Sequence, residues 1–320
     1  MPRHTAVSDQ NRRAFDLRRI LSERNPRLLN RLPPGVLALA RSLTHEHLVN
    51  AVLTARSGLE AAEFCEYVLR RLEITLKLEN SRYLEDAERP VICANHPSGG
   101  LEGVALIAAI LRIRGSCRVP ANDLLATVEP LGPLIVGVNR ARPSVADMRE
   151  LSAAYQGNEP MLIFPAGVTA RVYGGVLREY PWETSFVTRA RRADRDIVPV
   201  WVSGRNSRHF YLIHRIRRVL SIGFNLEMGL LVDELLRRRG DTLTLRFAPA
   251  RRVEQAAVLY ASRNATGSAA PNPANGQASP AGGFTHGEPA RTADRRYAQA
   301  LRREVEGLAH HRRLFAPSGA

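Results

Sequence analysis

Residues Val91 to Gly103 constrain this chain more than any other stretch. An apolar run, Val91-Ile92-Cys93-Ala94, stops at Asn95-His96, passes through Pro97-Ser98-Gly99-Gly100, and re-enters apolar sequence at Leu101. Such a run, ended by a Pro/Gly-rich turn, reads as a short buried strand, and Leu101 to Ile113 reads as a largely buried helix. The pair places His96 at the end of a strand and Glu102 in the first turn of the next helix. A carboxylate there can hold the imidazole in one tautomer, which makes the histidine a general base for a hydroxyl. The helix-start amides near Ser98 to Leu101 are expected to point toward the histidine and to suit an anion or a developing oxyanion.

The rest of the chain repeats the alternation. Ile74 to Leu78, Pro90 to Ala94, Cys117 to Pro120, Leu134 to Val138, Met161 to Phe164, Ile197 to Val202 and Leu243 to Phe247 are short apolar or β-branched runs. Gly103 to Ile113 and Ala146 to Tyr155 between them carry helical patterns. This predicts an α/β fold, a mixed sheet flanked by helices, with functional groups gathered beyond the strand ends. Helical periodicity from Val36 to Leu72 adds an N-terminal helical subdomain. The expected organisation is a basic, partly disordered N-terminus over 1–34, helices over 35–72, and the α/β domain over 73–250. A Pro/Gly/Ala/Ser-rich linker then covers 251–292, and a basic helix and tail 293–320. His45 and His47 have no third ligand nearby, so a helix-start role is expected of them and not a metal site.

Four ordered blocks resemble the glycerophospholipid acyltransferases, the PlsC-like superfamily, in its hemolysin-like bacterial branch. Asn95-His96-Pro97-Ser98-Gly99-Gly100-Leu101-Glu102-Gly103 resembles the first block, with Glu102 where the branch has Asp. Pro133 to Arg140 resembles the second, a strand ending in arginine. Ile163-Phe164-Pro165-Ala166-Gly167-Val168-Thr169-Ala170-Arg171 resembles the third, although Ala166 and Val168 stand where relatives carry acids. Ile197 to Ser207 resembles the fourth, a strand with a central proline. The resemblance covers roughly Leu72 to Pro249. It implies a PlsC-like acyltransferase fold and transfer of a fatty acyl group from an acyl thioester to a lysolipid hydroxyl. By this resemblance His96 is the general base and Glu102 its carboxylate. Asn95, Ser98, Gly99, Arg140, Gly167, Thr169 and Arg171 line the substrate, the two arginines gripping an anionic head group through their planar forks. The co-substrate is acyl carrier protein or coenzyme A thioester, with no resident cofactor and no metal. The acceptor is lysophosphatidic acid or a lyso-amino-acid lipid such as lyso-ornithine lipid. The missing acids at Ala166 and Val168 leave a second reading open, a weak or inactive relative that binds lipid.

Composition bears on partners. The 320 residues carry a formal net charge of +15 and a pI near 10.9, which favours an anionic partner. Lys77 is the only lysine, and this arginine skew reflects a GC-rich genome as readily as a binding device. Aromatics make up 6% and do not interleave with the basic residues, so nucleic acid is not the expected partner. No run approaches the roughly 20 apolar residues of a spanning helix, and the first residues lack the apolar core of a signal peptide. The expected location is the cytoplasm, peripheral to the inner face of the cytoplasmic membrane, with an anionic membrane surface as partner. Tyr211 to Phe224 and Arg295 to Arg313 are basic segments open to two readings, as membrane contacts or as amphipathic helices packed on the core. Cys65, Cys93 and Cys117 are too few for a disulfide framework. A serine hydrolase centred on Ser98 is disfavoured, since the chain has no G-x-S-x-G elbow there.

Overall fold

A computed structural model describes residues 16–24, 26–31, 33–43, 45–47, 50, 58–121, 125, 128–138, 144–173, 176–219, 230–253 and 290–309. The elements in chain order are α1 (Leu17–Arg24), α2 (Pro26–Arg31), α3 (Pro34–Leu43), α4 (Ala61–Arg71), β1 (Thr75–Glu79), α5 (Arg82–Glu85), β2 (Val91–Ala94) and α6 (Leu101–Arg114). They continue as β3 (Val119–Ala121), β4 (Ile135–Gly137), α7 (Val145–Gln156), β5 (Met161–Ile163), β6 (Arg171–Tyr173), β7 (Val176–Arg178) and α8 (Ser185–Arg192). The last are β8 (Ile197–Val202), α9 (Arg208–Val219), α10 (Leu231–Arg237), β9 (Thr242–Phe247) and α11 (Ala290–Leu308). Residues 254–289 of the expected linker and Asn139-Arg140 lie outside the described residues.

Five strands form a mixed sheet in the order β1-β9-β8-β2-β5. β5, β2 and β8 run parallel, and β9 turns antiparallel to β8 while pairing parallel with β1. Backbone bonds from Arg118 to Pro160 (2.8 Å) and from Leu162 to Arg118 (2.8 Å) attach the parallel β3–β4 pair to the β5 edge. All seven strands expected from the sequence are present, and the mixed α/β class is as expected. The β6–β7 hairpin was not anticipated.

β2 shows why the sheet sits between two helical layers. Its four residues are all buried, and they alternate between two cores. Ile92 and Ala94 pack with α4 and α6 residues such as Phe64, Leu69, Leu106 and Ile110. Val91 and Cys93 pack on the other side with Leu151 and Tyr155 of α7, Phe186 and Val187 of α8, and Leu301 and Val305 of α11. A strand enclosed on both faces reads as continuous apolar sequence. α4 therefore belongs to the main core, and so does one face of α11. The Tyr297, Ala298, Leu301 and Val305 face of that basic helix is covered by protein, so the packed reading holds for its described part.

Pro199 is tolerated in the central strand β8 for a local reason. Pairing with β9 starts one residue later, at Val200↔Phe247, and Pro199 contributes only its carbonyl, which accepts the Ala248 N–H at 2.8 Å. At the strands' N-terminal end, buried Arg195 binds the carbonyls of Tyr155 (2.7 Å) and Glu159 (2.9 Å) where α7 runs out. That fixes the edge of the sheet opposite His96.

Candidate active site

The site is built where β2, β5 and β8 end. Asn95 closes the gap between two of them, its Nδ2 donating to the Val202 carbonyl (2.9 Å) and its Oδ1 accepting the Val202 N–H (2.6 Å). This side chain continues the sheet by one rung and aims the next residue. His96 is then fixed along its backbone. Its N–H donates to the Glu179 carboxylate, and its carbonyl accepts the Ala170 N–H at 2.9 Å. The imidazole stacks on Phe164 at 4.4 Å between ring centroids, tilted by 30°.

Nδ1 of His96 lies 3.0 Å from Oε1 of Glu102. The approach is off the line of an ideal N–H···O bond, so the contact is an ion-pair distance with bent geometry. Glu102 has no exposed surface, while the His96 side chain keeps 17%. The carboxylate is wrapped by the turn before it: Ser98 N–H (2.7 Å), Gly99 N–H (2.5 Å), Gly100 N–H (3.3 Å) and the Ser98 hydroxyl all donate to it. Burial alone pushes this carboxyl up, but the His96 imidazole, the Gly99 amide and the Ser98 hydroxyl together outweigh it and hold the pKa at about 2. An ionised carboxylate at Nδ1 keeps the proton on that nitrogen and leaves Nε2 to accept one.

The helix-start amides thus differ from the expectation. Those of Ser98, Gly99 and Gly100 face Glu102 and are not directed at an oxyanion. The physical reason is reach: a glutamate at the second helical position folds back over its own N-terminus, where the helix dipole and unpaired N–H groups favour an anion. The Ser98 hydroxyl likewise belongs to the carboxylate's cage.

The loop after β5 packs against this turn. Gly99 has φ +92°, and a Cβ there would meet Thr169 Cγ2 at 2.2 Å and Leu231 Cδ2 at 2.9 Å, so only glycine fits. Gly167, at φ +65°, turns the chain back so that its N–H donates to the Phe164 carbonyl at 2.9 Å. Thr169 is buried, and its hydroxyl meets the Arg171 guanidinium. Arg171 is 3% exposed. Nη1 also donates to the carbonyls of Thr169 (2.8 Å) and Ala170 (3.2 Å), and the guanidinium lies 4.9 Å from the Phe210 ring. Nη1 is thus held by its own loop while the guanidinium packs on Phe210 of α9. The structure therefore assembles His96, Glu102, Ser98, Gly99, Thr169 and Arg171 in one connected cluster, with Asn95 at its base and Gly167 in the adjoining turn.

Two participants were not singled out from the sequence. Glu179 accepts the His96 N–H through Oε1 and the Trp182 indole N–H through Oε2 at 2.9 Å. Burial raises its pKa, with those donors opposing. Phe164 is the other. Glu179 follows the unanticipated hairpin and lies 83 positions from His96, so no local spacing signals it. Among the described residues no His, Cys, Asp or Glu group could hold a metal ion. His45 instead pairs with Asp233, Nε2 to Oδ1 at 3.1 Å. No described helix is long and apolar enough to cross a membrane.

A buried carboxylate behind a histidine, at the ends of parallel strands, is an arrangement that can take a proton from a hydroxyl. The sequence matches the acyltransferase family over residues 19–265, and the chain belongs to that family. It is 30% identical over 243 residues to the lyso-glycine lipid O-acyltransferase of Bacteroides thetaiotaomicron, covering 75% of this chain and 89% of that one. It is 29% identical over 241 residues to the protein of the same name from Phocaeicola vulgatus, covering 75% and 86%. The crystal structure of a 1-acyl-sn-glycerophosphate acyltransferase from Thermotoga maritima superposes at TM-score 0.41 and 14% identity over 85% of this chain and 96% of that one, a likeness too distant to bear on the reaction. The chain is an acyltransferase, as the blocks implied.

Proposed function

We propose that this enzyme transfers a fatty acyl group from an acyl thioester to the hydroxyl of a lysolipid at the inner face of the cytoplasmic membrane, with His96 as general base. Nε2 of His96 takes the hydroxyl proton as the oxygen attacks the thioester carbonyl. The C–O bond forms, the C–S bond breaks, and the imidazolium returns the proton to the departing thiolate. Glu102 stabilises the transient imidazolium. The acceptor is itself the nucleophile, so no acyl-enzyme is required. The observation that carries this reading is the 3.0 Å contact of His96 Nδ1 with a buried, ionised Glu102.

The acceptor we favour is a lyso-amino-acid lipid, following the names of the two bacterial relatives, with lyso-glycine lipid placed ahead of lyso-ornithine lipid and lysophosphatidic acid. Arg171 adds a buried positive charge to this side of the site, which suits an anionic head group. The test is direct. Purified protein is incubated with a labelled acyl thioester, on acyl carrier protein or on coenzyme A, and with lyso-glycine lipid or lysophosphatidic acid. A new ester on the amino-acid lipid supports the assignment. Transfer to lysophosphatidic acid alone, or release of free fatty acid alone, contradicts it.

A further inference from the structure

α9 is turned inside out. Its inward residues, Phe210 and His214, are 0% and 3% exposed, and Ile213 is half-buried, whereas three of its aliphatic residues face solvent: Leu212 at 52%, Ile216 at 47% and Val219 at 77%. Positions 212, 216 and 219 follow the i, i+4, i+7 spacing of one helical face. Exposed Arg208 and Arg215 stand along that face and exposed Arg218 flanks it, and the helix sequence RHFYLIHRIRRV contains no acid. Ser207 starts the helix, its hydroxyl accepting the Phe210 N–H at 3.3 Å while Glu234 receives the Ser207 N–H at 2.6 Å. The exposure is therefore a property of an anchored helix.

The β6–β7 hairpin extends the same surface. Arg218 lies 5.5 Å from the Tyr173 ring, and that ring meets His214 edge-on at 6.2 Å. Val172 joins His214, Arg215, Arg218 and Val219 around an open depression of about 280 Å³. A second depression of about 240 Å³, almost wholly apolar, lies among Leu212, Arg215, Ile216 and Val219. On β7, Val176 and Leu177 are 51% and 38% exposed, and Tyr180 beyond them 37%. The hairpin begins at Arg171, one residue after the Ala170 that binds the His96 carbonyl. The surface therefore adjoins the loop that supports the catalytic histidine.

We infer that α9 and the β6–β7 hairpin form the face on which the enzyme sits on an anionic lipid surface. The inference rests on the acyltransferase reading above and specifies where its lipid acceptor enters. Aliphatic side chains enter the headgroup–acyl boundary, and the arginines reach lipid phosphates at the same depth. An acidic carrier protein matches the arginines but leaves the 212–216–219 stripe without an apolar counterpart, so the lipid surface is the better fit. An apolar stripe of this kind facing water calls for such an occupant.

The test uses full-length protein and vesicle sedimentation without acyl donor or acceptor, so its result is independent of whether transfer chemistry has been assigned correctly. The vesicles are phosphatidylcholine alone or mixed with phosphatidylglycerol. Wild type should sediment with the mixed vesicles and be released as salt rises. The Ile216→Glu/Val219→Glu and Arg215→Gln/Arg218→Gln proteins should bind them about 10-fold or more weakly, with unchanged thermal midpoints because these side chains are exposed. Val145→Glu, at an equally exposed apolar position on α7, should bind as wild type does. Patch variants that bind as wild type does, or an equal loss in Val145→Glu, overturn the inference. So do patch variants that keep vesicle binding but lose affinity for acyl carrier protein.

Discussion

Glu102 Oε1 sits 3.0 Å from His96 Nδ1 and at the same time receives the backbone N–H groups of Ser98 and Gly99. One atom thus couples the shape of the turn to the state of the base. Removing its charge should damage both.

Glu102→Gln should lower kcat by about 100-fold or more, because an amide cannot stabilise the imidazolium through which proton transfer contributes roughly 100- to 10,000-fold, with little change in KM. The amide also presents N–H toward backbone N–H groups, so the thermal midpoint should fall. Glu102→Asp keeps the charge and should retain much more activity than the Gln variant. Steady-state kinetics on both proteins decide it; a Gln variant with wild-type kcat would mean the imidazole is oriented by another group.

The same carboxyl gives a pH signature. Its pKa is about 2 when folded and about 4.3 in an unfolded chain. A depressed folded value contributes stability that is present above the unfolded pKa and lost as pH falls toward the folded one. The contribution is on the order of 3 kcal/mol. The stability gap between wild type and Glu102→Gln should therefore narrow between pH 5 and pH 2 in denaturant titrations. A gap constant across that range would show that the surroundings do not lower the carboxyl's pKa on folding.

Gly99→Ala should destabilise the protein by roughly 1–3 kcal/mol from backbone strain alone, because φ is +92° and the new methyl would meet Thr169 Cγ2. Thr169→Ser removes that methyl and keeps the hydroxyl for Arg171. In the double variant part of the loss should return, leaving the strain component and the contact with Leu231. Additive losses would place the clash elsewhere.

Glu179→Leu leaves the His96 N–H and the Trp182 indole without their acceptor, at a cost of about 1–3 kcal/mol for each buried donor. The thermal midpoint should fall, and kcat should fall with KM for the acceptor nearly unchanged. Glu179→Gln retains an acceptor oxygen and should recover most of both. If Gln is as damaging as Leu, the charge of Glu179 matters more than its hydrogen bonds.

Much of this was legible in the sequence. β2, β5 and β8 are apolar runs punctuated by Pro and Gly, and the first-block spacing puts Glu102 in the first turn of the helix that follows the strand. What escaped notice was non-local or too short to carry a period. β6 and β7 have three residues each, too few to show an alternation, and β7 is exposed throughout. Glu179 reaches His96 only because that hairpin folds back past the end of β2. The direction of the Ser98 to Gly100 amides was missed for a different reason: spacing shows that they share a turn with Glu102, but not which anion they enclose. α9 broke the rule that aliphatic stripes face the core, and the membrane-facing role proposed for it follows from that exception.

The central claim is that His96 is the general base for acyl transfer. The most direct measurement is single-turnover acyl transfer by purified His96→Asn, followed across pH with saturating thioester and lysolipid. The account predicts a rate about 100- to 10,000-fold below wild type, a near-native thermal midpoint and loss of the imidazole's inflection in the pH profile. A His96→Asn protein that transfers the acyl group at close to the wild-type rate, with the same pH dependence, would contradict it.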